Sequence, residues 1–446
     1  MTFDEKALIE HVTRQRWYGA KSRDVAHARA LDSVVVRTSE PQLALALVEM
    51  RYETGAHDIY QLVYALREGE VELDGLADTA LARELVSAMR SGLTLQGTEG
   101  IVDFRPVEGF AGIGRELVET RSISAEQSNT SVVFDDELIL KVFRRLEPGI
   151  NPELEMLRFL TEHGFTNIAA LGGWYAYSGG PLAATLGILQ AFVREGLDGW
   201  ELALDELSSD PDRFLTRLRR LGEVTGELHT VLGSDPNDPA FCPETPSVES
   251  LGLLTATVDE EIERVFLDLP HDEEALEPIV GRGEEVREQL RQLTHAGSTG
   301  KIIRTHGDFH LGQTMWADDD WVILDFEGEP ARPLAERRRK QSALRDVAGM
   351  LRSFAYAASA VQFLRGVDPP DDWEEQARDE FLGGYLETVD PELIPAGQAG
   401  LERLLAVFEL EKAVYELRYE IDNRPEWVTI PVSGIQRLID RAATAS

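Results

Sequence analysis

The chain has 446 residues, too many for one ordinary hydrophobic core, so two or three packed units are expected. Apolar residues make up 43% and charged residues 28%, the balance of a folded globular protein and not of a disordered one. A formal charge of -36 argues against nucleic acid and anionic membrane surfaces as partners, because both require a basic face.

One cysteine, Cys242, admits no internal disulfide, and no second cysteine or nearby histidine completes a zinc site. The opening stretch MTFDEKALIEHVTRQRW has no apolar signal core, and no run approaches the ~18 apolar residues of a membrane span. The expectation is a cytoplasmic protein with no membrane attachment and no obligate protein partner.

In chain order, a short helix from Asp4 to Gln15 precedes three alternating apolar segments: Ser33 to Thr38, Leu43 to Glu53 and Tyr60 to Leu66. They read as strands, and ADTALARELVSAMRSG after them as a helix, which makes a small α+β unit over 1–98. FRPVEG and RSISAEQSNTSVVFDDELILKVFRR give strand, loop, strand, a turn at Asp135-Asp136, and strand. The helix NPELEMLRFLTEHG opens at Asn151 with Pro152 in its first position and closes at Gly164. LGILQAFVREG reads as a further strand, completing a second segment over 99–195. From Trp200 helices dominate to the end, over 196–446, broken by KIIRTHGDFHLGQ and WVILDFEGEP, each a strand leading into a polar loop. The apolar pieces Lys301–Ile303 and Trp321–Leu324 are expected to share one small sheet, bringing both loops to the same edge.

The loop THGDFHLGQ carries the chemistry. Alone, an HxDxH string fits buried histidines satisfied by backbone, and zinc fits less well because the spacing gives no helical ligand pair. Its context adds more. Asp308 and Gln313 stand five residues apart, the spacing of catalytic base and amide metal ligand in kinase catalytic loops. Asp325 in DFE then takes the place of the metal-binding aspartate of a kinase DFG. Upstream, Lys141 on a strand can bridge ATP phosphates, and Glu155 on the next helix can pair with it, with Glu153 as the rival. The loop Ala125–Ser131 has no glycine, so it is neither a Walker A nor a protein-kinase glycine-rich loop. Ser128, Asn129 and Thr130 could offer donors to phosphates, although a plain polar turn accounts for them as well. Gln190, Ala191 and Phe192 lie where a kinase hinge would hydrogen-bond adenine.

HGDFHLGQ, DFEGEPARPLAERR, LRDVAGMLRSFAYAA, SAEQSNTSVVFDDELILKVFRR and NRPEWVTIP together resemble the maltokinase-like sugar kinases of actinobacteria, and QRWYGAKSR resembles their N-terminal cap. That group comprises maltokinases and related glucosamine kinases. The resemblance runs nearly end to end. It implies an α+β, bilobal, protein-kinase-like (aminoglycoside-phosphotransferase-like) fold with an N-terminal α+β cap. It also implies ATP- and Mg2+-dependent transfer to a sugar hydroxyl: Asp308 as base, Lys141 as phosphate anchor, Gln313 and Asp325 as magnesium ligands.

On the stretch Phe408 to Trp427, Glu409, Lys412, Glu416, Glu420 and Asn423 fall on one helical face, and Pro425 ends the helix. Such charges usually line a solvated face. Here Tyr415, Tyr419, Val414 and Leu417 leave little of the helix for water, and Trp427 follows, so the resemblance implies that Glu416, Glu420, Asn423 and Trp427 form the acceptor site. Maltokinases of this group carry a basic residue before their RP-x-W motif, where this chain has Asp422. A cluster of Glu416, Glu420 and Asp422 would favour an ammonium-bearing acceptor, which gives glucosamine, converted to glucosamine 6-phosphate. Maltose, converted to maltose 1-phosphate, is the alternative. A non-catalytic sugar-binding pseudokinase is the alternative of a different class, and the intact Lys141, Asp308, Gln313 and Asp325 speak against it. The run Arg337–Lys340 reads as a solvated loop balancing nearby acids.

Overall fold

The computed structural model describes residues 3–123, 128–270, 273–293, 299–330 and 332–445. The chain divides into two compact units, Met1–Glu195 with Arg332–Leu334, and Gly196–Ala331 with Ala335–Ser446.

The first unit opens on α1 (Glu5–Arg14), capped by Asp4, whose carboxylate accepts the Ala7 amide at 2.8 Å. Strands β1 (Val25–Arg37), β2 (Gln42–Tyr52) and β3 (His57–Arg67) pair antiparallel in sequence order, and β4 (Glu70–Glu72) returns on β3. Alternate residues of β2, Ala44, Ala46, Val48 and Met50, pack with Leu8 and Val12 of α1. This is the two-residue period of a strand meeting the stripe of an amphipathic helix. Helix α2 (Ala82–Arg90) leads into β5 (Thr94–Gln96), β6 (Gly100–Pro106), β7 (Thr120–Ile123), β8 (Asn129–Phe134) and β9 (Leu138–Phe143). The short β10 (Arg145–Leu146) follows, then α3 (Pro152–Glu162), β11 (Leu171–Gly179) and β12 (Ala183–Ala191). Seven of these strands form one antiparallel sheet in the order β5-β6-β11-β12-β9-β8-β7, while β10 pairs back onto β3.

Gln61 of β3 fastens the two sheets. Its buried amide donates to the carbonyls of Phe143 at 2.8 Å and Leu186 at 2.7 Å, and its oxygen accepts the Tyr175 hydroxyl at 3.0 Å. A buried amide is tolerated only when its donors and acceptor are satisfied, and these are. Beside it Arg144, also buried, donates to the Thr130 hydroxyl at 2.8 Å and lies over the Trp17 ring.

The second unit runs β13 (Leu197–Asp198), α4 (Gly199–Ser209), α5 (Pro211–Leu232), α6 (Val248–Leu267) and α7 (Gly283–Leu293), then β14 (Ile302–Ile303), β15 (Thr314–Ala317) and β16 (Asp320–Ile323). After the single-turn α8 (Leu334–Arg337) come β17 (Gln341–Ser342), α9 (Leu344–Arg365), α10 (Trp373–Thr388), α11 (Gln398–Asn423) and α12 (Thr429–Ala445). Here one expectation fails. β14 pairs with β17, and β16 pairs with β15, so Lys301–Ile303 and Trp321–Leu324 do not share a sheet. The two polar loops meet because Thr314–Ala317 is itself a strand, joined to β16 by the tight turn at Asp318-Asp319, both left-handed.

Val407, Leu410, Ala413, Val414 and Leu417 of α11 bury one face in a core shared with α6, α7 and α12. Among the described residues no helix is long and apolar enough to cross a membrane.

Helices α5 and α10 touch backbone to backbone. A Cβ on Gly222 would stand 2.0 Å from the Phe381 carbonyl oxygen, and one on Gly384 2.0 Å from that of Arg219. Gly222→Ala should therefore destabilise the protein by roughly 1–3 kcal/mol, because the helices must be forced apart. Gly252→Ala, where a Cβ meets nothing within 4 Å, should be neutral or stabilising. Thermal melts of both variants against the parent check this.

Candidate active site

The loop between β14 and β15 is built around a buried carboxylate that sequence reasoning passed over. Asp346, in the first turn of α9, accepts the backbone N–H of His306 at 2.7 Å and of Gly307 at 2.9 Å. His229 of α5 lies 3.2 Å from the same carboxylate, and its other ring nitrogen lies 3.1 Å from the Tyr385 hydroxyl. Burial pushes the Asp346 carboxyl up, but the His229 ring and the loop N–H groups outweigh it and hold the carboxyl below the ordinary aspartate value. Gly307 is left-handed, at φ 86°, which lets two successive N–H groups reach one carboxylate. The signal available in LRDVAGMLRSFAYAA is its single acid, in the first turn of a largely apolar helix.

The two histidines of the loop part company. His306 is buried and its Nε2 lies 2.8 Å from the Leu324 carbonyl, to which it must donate, so it ties the loop to the end of β16. His310 faces the cavity; its Nδ1 accepts the Gly312 amide at 3.1 Å, and burial pushes the ring below the usual histidine value. The Gln313 carbonyl accepts the Leu324 amide at 2.9 Å, and its side-chain amide sits 3.4 Å from Asp325 Oδ2. Asp325 is held at φ 60°, a conformation uncommon for a residue with a side chain and found at functional turns. Two adjacent oxygen-bearing side chains, an amide and a carboxylate, are the donors a hard divalent cation takes, so this pair fits magnesium.

Asp308 opens into a cavity of about 410 Å³ whose far wall is α11. Lys412 Nζ lies 3.5 Å from Asp308 Oδ1. Glu416 lines the cavity but takes Arg352 Nε at 3.0 Å and Nη2 at 2.7 Å. Glu420 accepts the Tyr356 hydroxyl at 2.9 Å and both Nε (2.9 Å) and Nη2 (2.7 Å) of Arg424. Trp427, in the short turn after α11, stacks with Tyr356 at 6.2 Å between centroids and carries Arg424 over its ring.

Three expectations about this helix need correction. Asn423 is exposed and lies outside the cavity, because its amide donates back to the Tyr419 carbonyl at 2.9 Å. Asp422 is exposed as well and does not join Glu416 and Glu420, being two positions, and so roughly 200°, round the helix from Glu420. Tyr415 and Tyr419 do not seal the helix from water: they are 39% and 44% exposed and line the cavity instead. Glu409 faces away from the cavity in a two-pronged ion pair with Arg378, both contacts 2.9 Å. Tyr356 and Arg352 are not legible in the sequence because their roles come from packing between α9 and α11, whereas Arg424 acts through the local pair with Glu420.

In the first unit, Lys141 of β9 is buried and pairs with Glu153 at 2.8 Å. Glu153, the rival, is thus a partner of Lys141. The two acids are roughly 200° apart round the helix, and both are buried. Ser128 is exposed beside residues 124–127 of the loop, which lie outside the described residues. Asn129 and Thr130 are not loop but the first rungs of β8, opposite Phe143 and Val142, and the Thr130 hydroxyl is taken by Arg144. At the hinge position Gln190 is buried within β12, and the amides of Ala191 and Phe192 are spent on the carbonyls of Ala170 and Glu137. Adenine would therefore find no free amide donor at Ala191 or Phe192. The Phe192 ring lies under Arg121.

A loop with base, amide and acid in kinase order, on a fold of this composition, defines a kinase-like phosphotransferase. Residues 119–329 match the phosphotransferase enzyme family and residues 11–93 the maltokinase N-terminal cap domain. The glucosamine kinase of Streptacidiphilus jiangxiensis is 28% identical over 442 residues, 91% of this chain and 98% of that protein. That of Mycolicibacterium smegmatis is 26% identical over 73% of this chain and 80% of its own. A solved glucosamine kinase in complex with glucosamine, ADP and inorganic phosphate shares the fold, with a TM-score of 0.74 at 22% identity over 96% of this chain and 98% of that one. The fold is that of the aminoglycoside-phosphotransferase-like kinases with an N-terminal cap.

Asp346→Asn should lower stability by roughly 3 kcal/mol or more, because an amide cannot accept both loop N–H groups and His229 as a carboxylate does. The folded carboxyl lies below its unfolded value, so its contribution is complete above the ordinary aspartate range and is lost as pH falls through the depressed value. Unfolding followed from pH 7 to pH 3 should show the parent losing this advantage at the acid end, with the two proteins converging there.

Proposed function

We propose that the chain is a sugar kinase that transfers the γ-phosphoryl group of ATP to glucosamine, giving glucosamine 6-phosphate. ATP is the co-substrate of the kinase class to which the family match assigns it. The observation that carries the acceptor is likeness along nearly the whole chain to a glucosamine kinase, 91% of this chain against 98% of that one. The charge argument from Asp422 no longer contributes, since that side chain is exposed outside the cavity.

In this reading Asp308 accepts the proton of the acceptor hydroxyl as its oxygen attacks phosphorus. Glu416 and Glu420 accept sugar hydroxyl or ammonium hydrogens with orientations already fixed by Arg352, Arg424 and Tyr356, so little order is lost on binding. Trp427 and Tyr356 offer ring faces to the apolar side of the sugar. Lys141, held by Glu153, anchors the phosphates, and Ser128 supplies a donor beside them. Gln313 and Asp325 would hold magnesium, which when bound supplies charge neutralisation to the phosphates. Maltose is the second reading, favoured by the maltokinase-type cap over residues 11–93.

Asp308→Ala should cut kcat by ~10²–10⁴-fold with ATP binding retained. A variant keeping more than about a tenth of the parent rate, well outside that range, would move the base elsewhere. Asp325→Asn should raise the magnesium concentration needed for half-maximal rate, because an amide binds a hard cation less well than a carboxylate. The acceptor is decided by kcat/KM for glucosamine against maltose. Maltose turning over better would replace the acceptor and leave the kinase standing.

A further inference from the structure

Lys412 is the group in the cavity that the assignments above leave without work. It stands on α11 one turn before Glu416, with its ammonium 3.5 Å from Asp308 Oδ1 and 5.2 Å from the centre of the Tyr415 ring. Burial alone would push a lysine down, but Asp308, Glu416 and Glu329 outweigh it and hold Lys412 above the ordinary lysine value, so the ammonium stays charged. The loop brings no cation of its own. Asp308 is flanked by Gly307, Phe309 and His310, and burial keeps the His310 ring low. Of the two cationic side chains that line the cavity, Arg424 is spent on Glu420. Lys412 is the other, and it points at the base.

We propose that Lys412 is the cation of the transfer step, holding Asp308 by Oδ1 so that Oδ2 is left for the acceptor hydroxyl, and neutralising the phosphoryl group as it arrives. This rests on the sugar-kinase reading. In the step, the acceptor oxygen bonds to the γ-phosphorus, and the bond from that phosphorus to the β–γ bridging oxygen breaks with its electron pair leaving on ADP. The acceptor proton passes to Asp308. Phosphoryl transfer has little covalent chemistry for a protein to perform and depends on charge fixed in advance around the moving group. An ammonium already fixed beside the acceptor oxygen meets that need. Because Glu416 and Glu420 follow on the same helix, roughly 6 and 12 Å further along its axis, one rigid element both seats the acceptor and stabilises the transfer.

The test is Lys412→Met and Lys412→Arg in the full chain. Methionine should lower kcat roughly 10²-fold, the loss typical of one charge-stabilising donor, with KM for glucosamine and ATP changed less than about threefold. Arginine should recover at least about tenfold of that loss, since it restores the charge. The complex of ADP, aluminium fluoride and glucosamine, which imitates the transferring group, should bind Lys412→Met more weakly by a factor similar to the fall in kcat. ADP and glucosamine alone should bind it as they bind the parent. A loss confined to KM, or equal loss of all three ligands, would make Lys412 part of the cavity wall and overturn the proposal. Parent turnover of maltose in place of glucosamine would overturn the acceptor alone, and the same variants assayed on maltose would then decide Lys412.

Discussion

The working parts of the second unit hang from the carboxylate of Asp346. Taking a carboxylate out of water costs several kcal/mol unless its lone pairs are filled, and here they are filled by two backbone N–H groups of the β14–β15 loop and the ring of His229. The loop is thus ordered by the same bonds that make the burial tolerable. From His306 the constraint passes to the Leu324 carbonyl, and from Leu324 to the left-handed turn that presents Asp325. Base and metal-ligand candidates are thereby set by one connected run of hydrogen bonds, none of which needs a ligand to form.

What could be read in the sequence were features whose physics is local. The helix at Asn151-Pro152 starts where its cap and its proline place it, and the turn at Asp135-Asp136 falls between two strands, both residues left-handed. Asp308 and Gln313, five residues apart, lie together in the segment between β14 and β15. Failures came where the outcome depended on a partner far along the chain. Strand β15 was overlooked since TMWA is short and its pairing with β16 is what makes it a strand. Glu155 was preferred to Glu153 because spacing along a helix does not say which side faces a distant lysine. Asn423 fits the site by helical period and Asp422 by its place before the RP-x-W motif, yet both side chains are exposed outside the cavity, and Asn423 bonds to its own backbone.

Helix α11 shows why charge spacing alone misleads. Its apolar residues bury one side against α6, α7 and α12, so its acids are not a solvated face. Three of them are buried, each matched with an arginine: Glu409 with Arg378, Glu416 with Arg352, Glu420 with Arg424. Fixed pairs of this kind present oriented oxygen atoms to a ligand while adding little net charge to the cavity.

Gln61 gives the first unit a property that domain boundaries drawn on sequence would hide. The two carbonyls and the tyrosine hydroxyl it satisfies belong to Phe143, Leu186 and Tyr175, all in the seven-stranded sheet. Deleting the cap would strip these groups of their partner within an apolar interior and uncover Arg144 as well. The cap is therefore bonded into the sheet beside it and not merely appended to it. It is a load shared by the seven-stranded sheet, and a chain that lost it would have to rewrite the uncovered face of that sheet to remain folded.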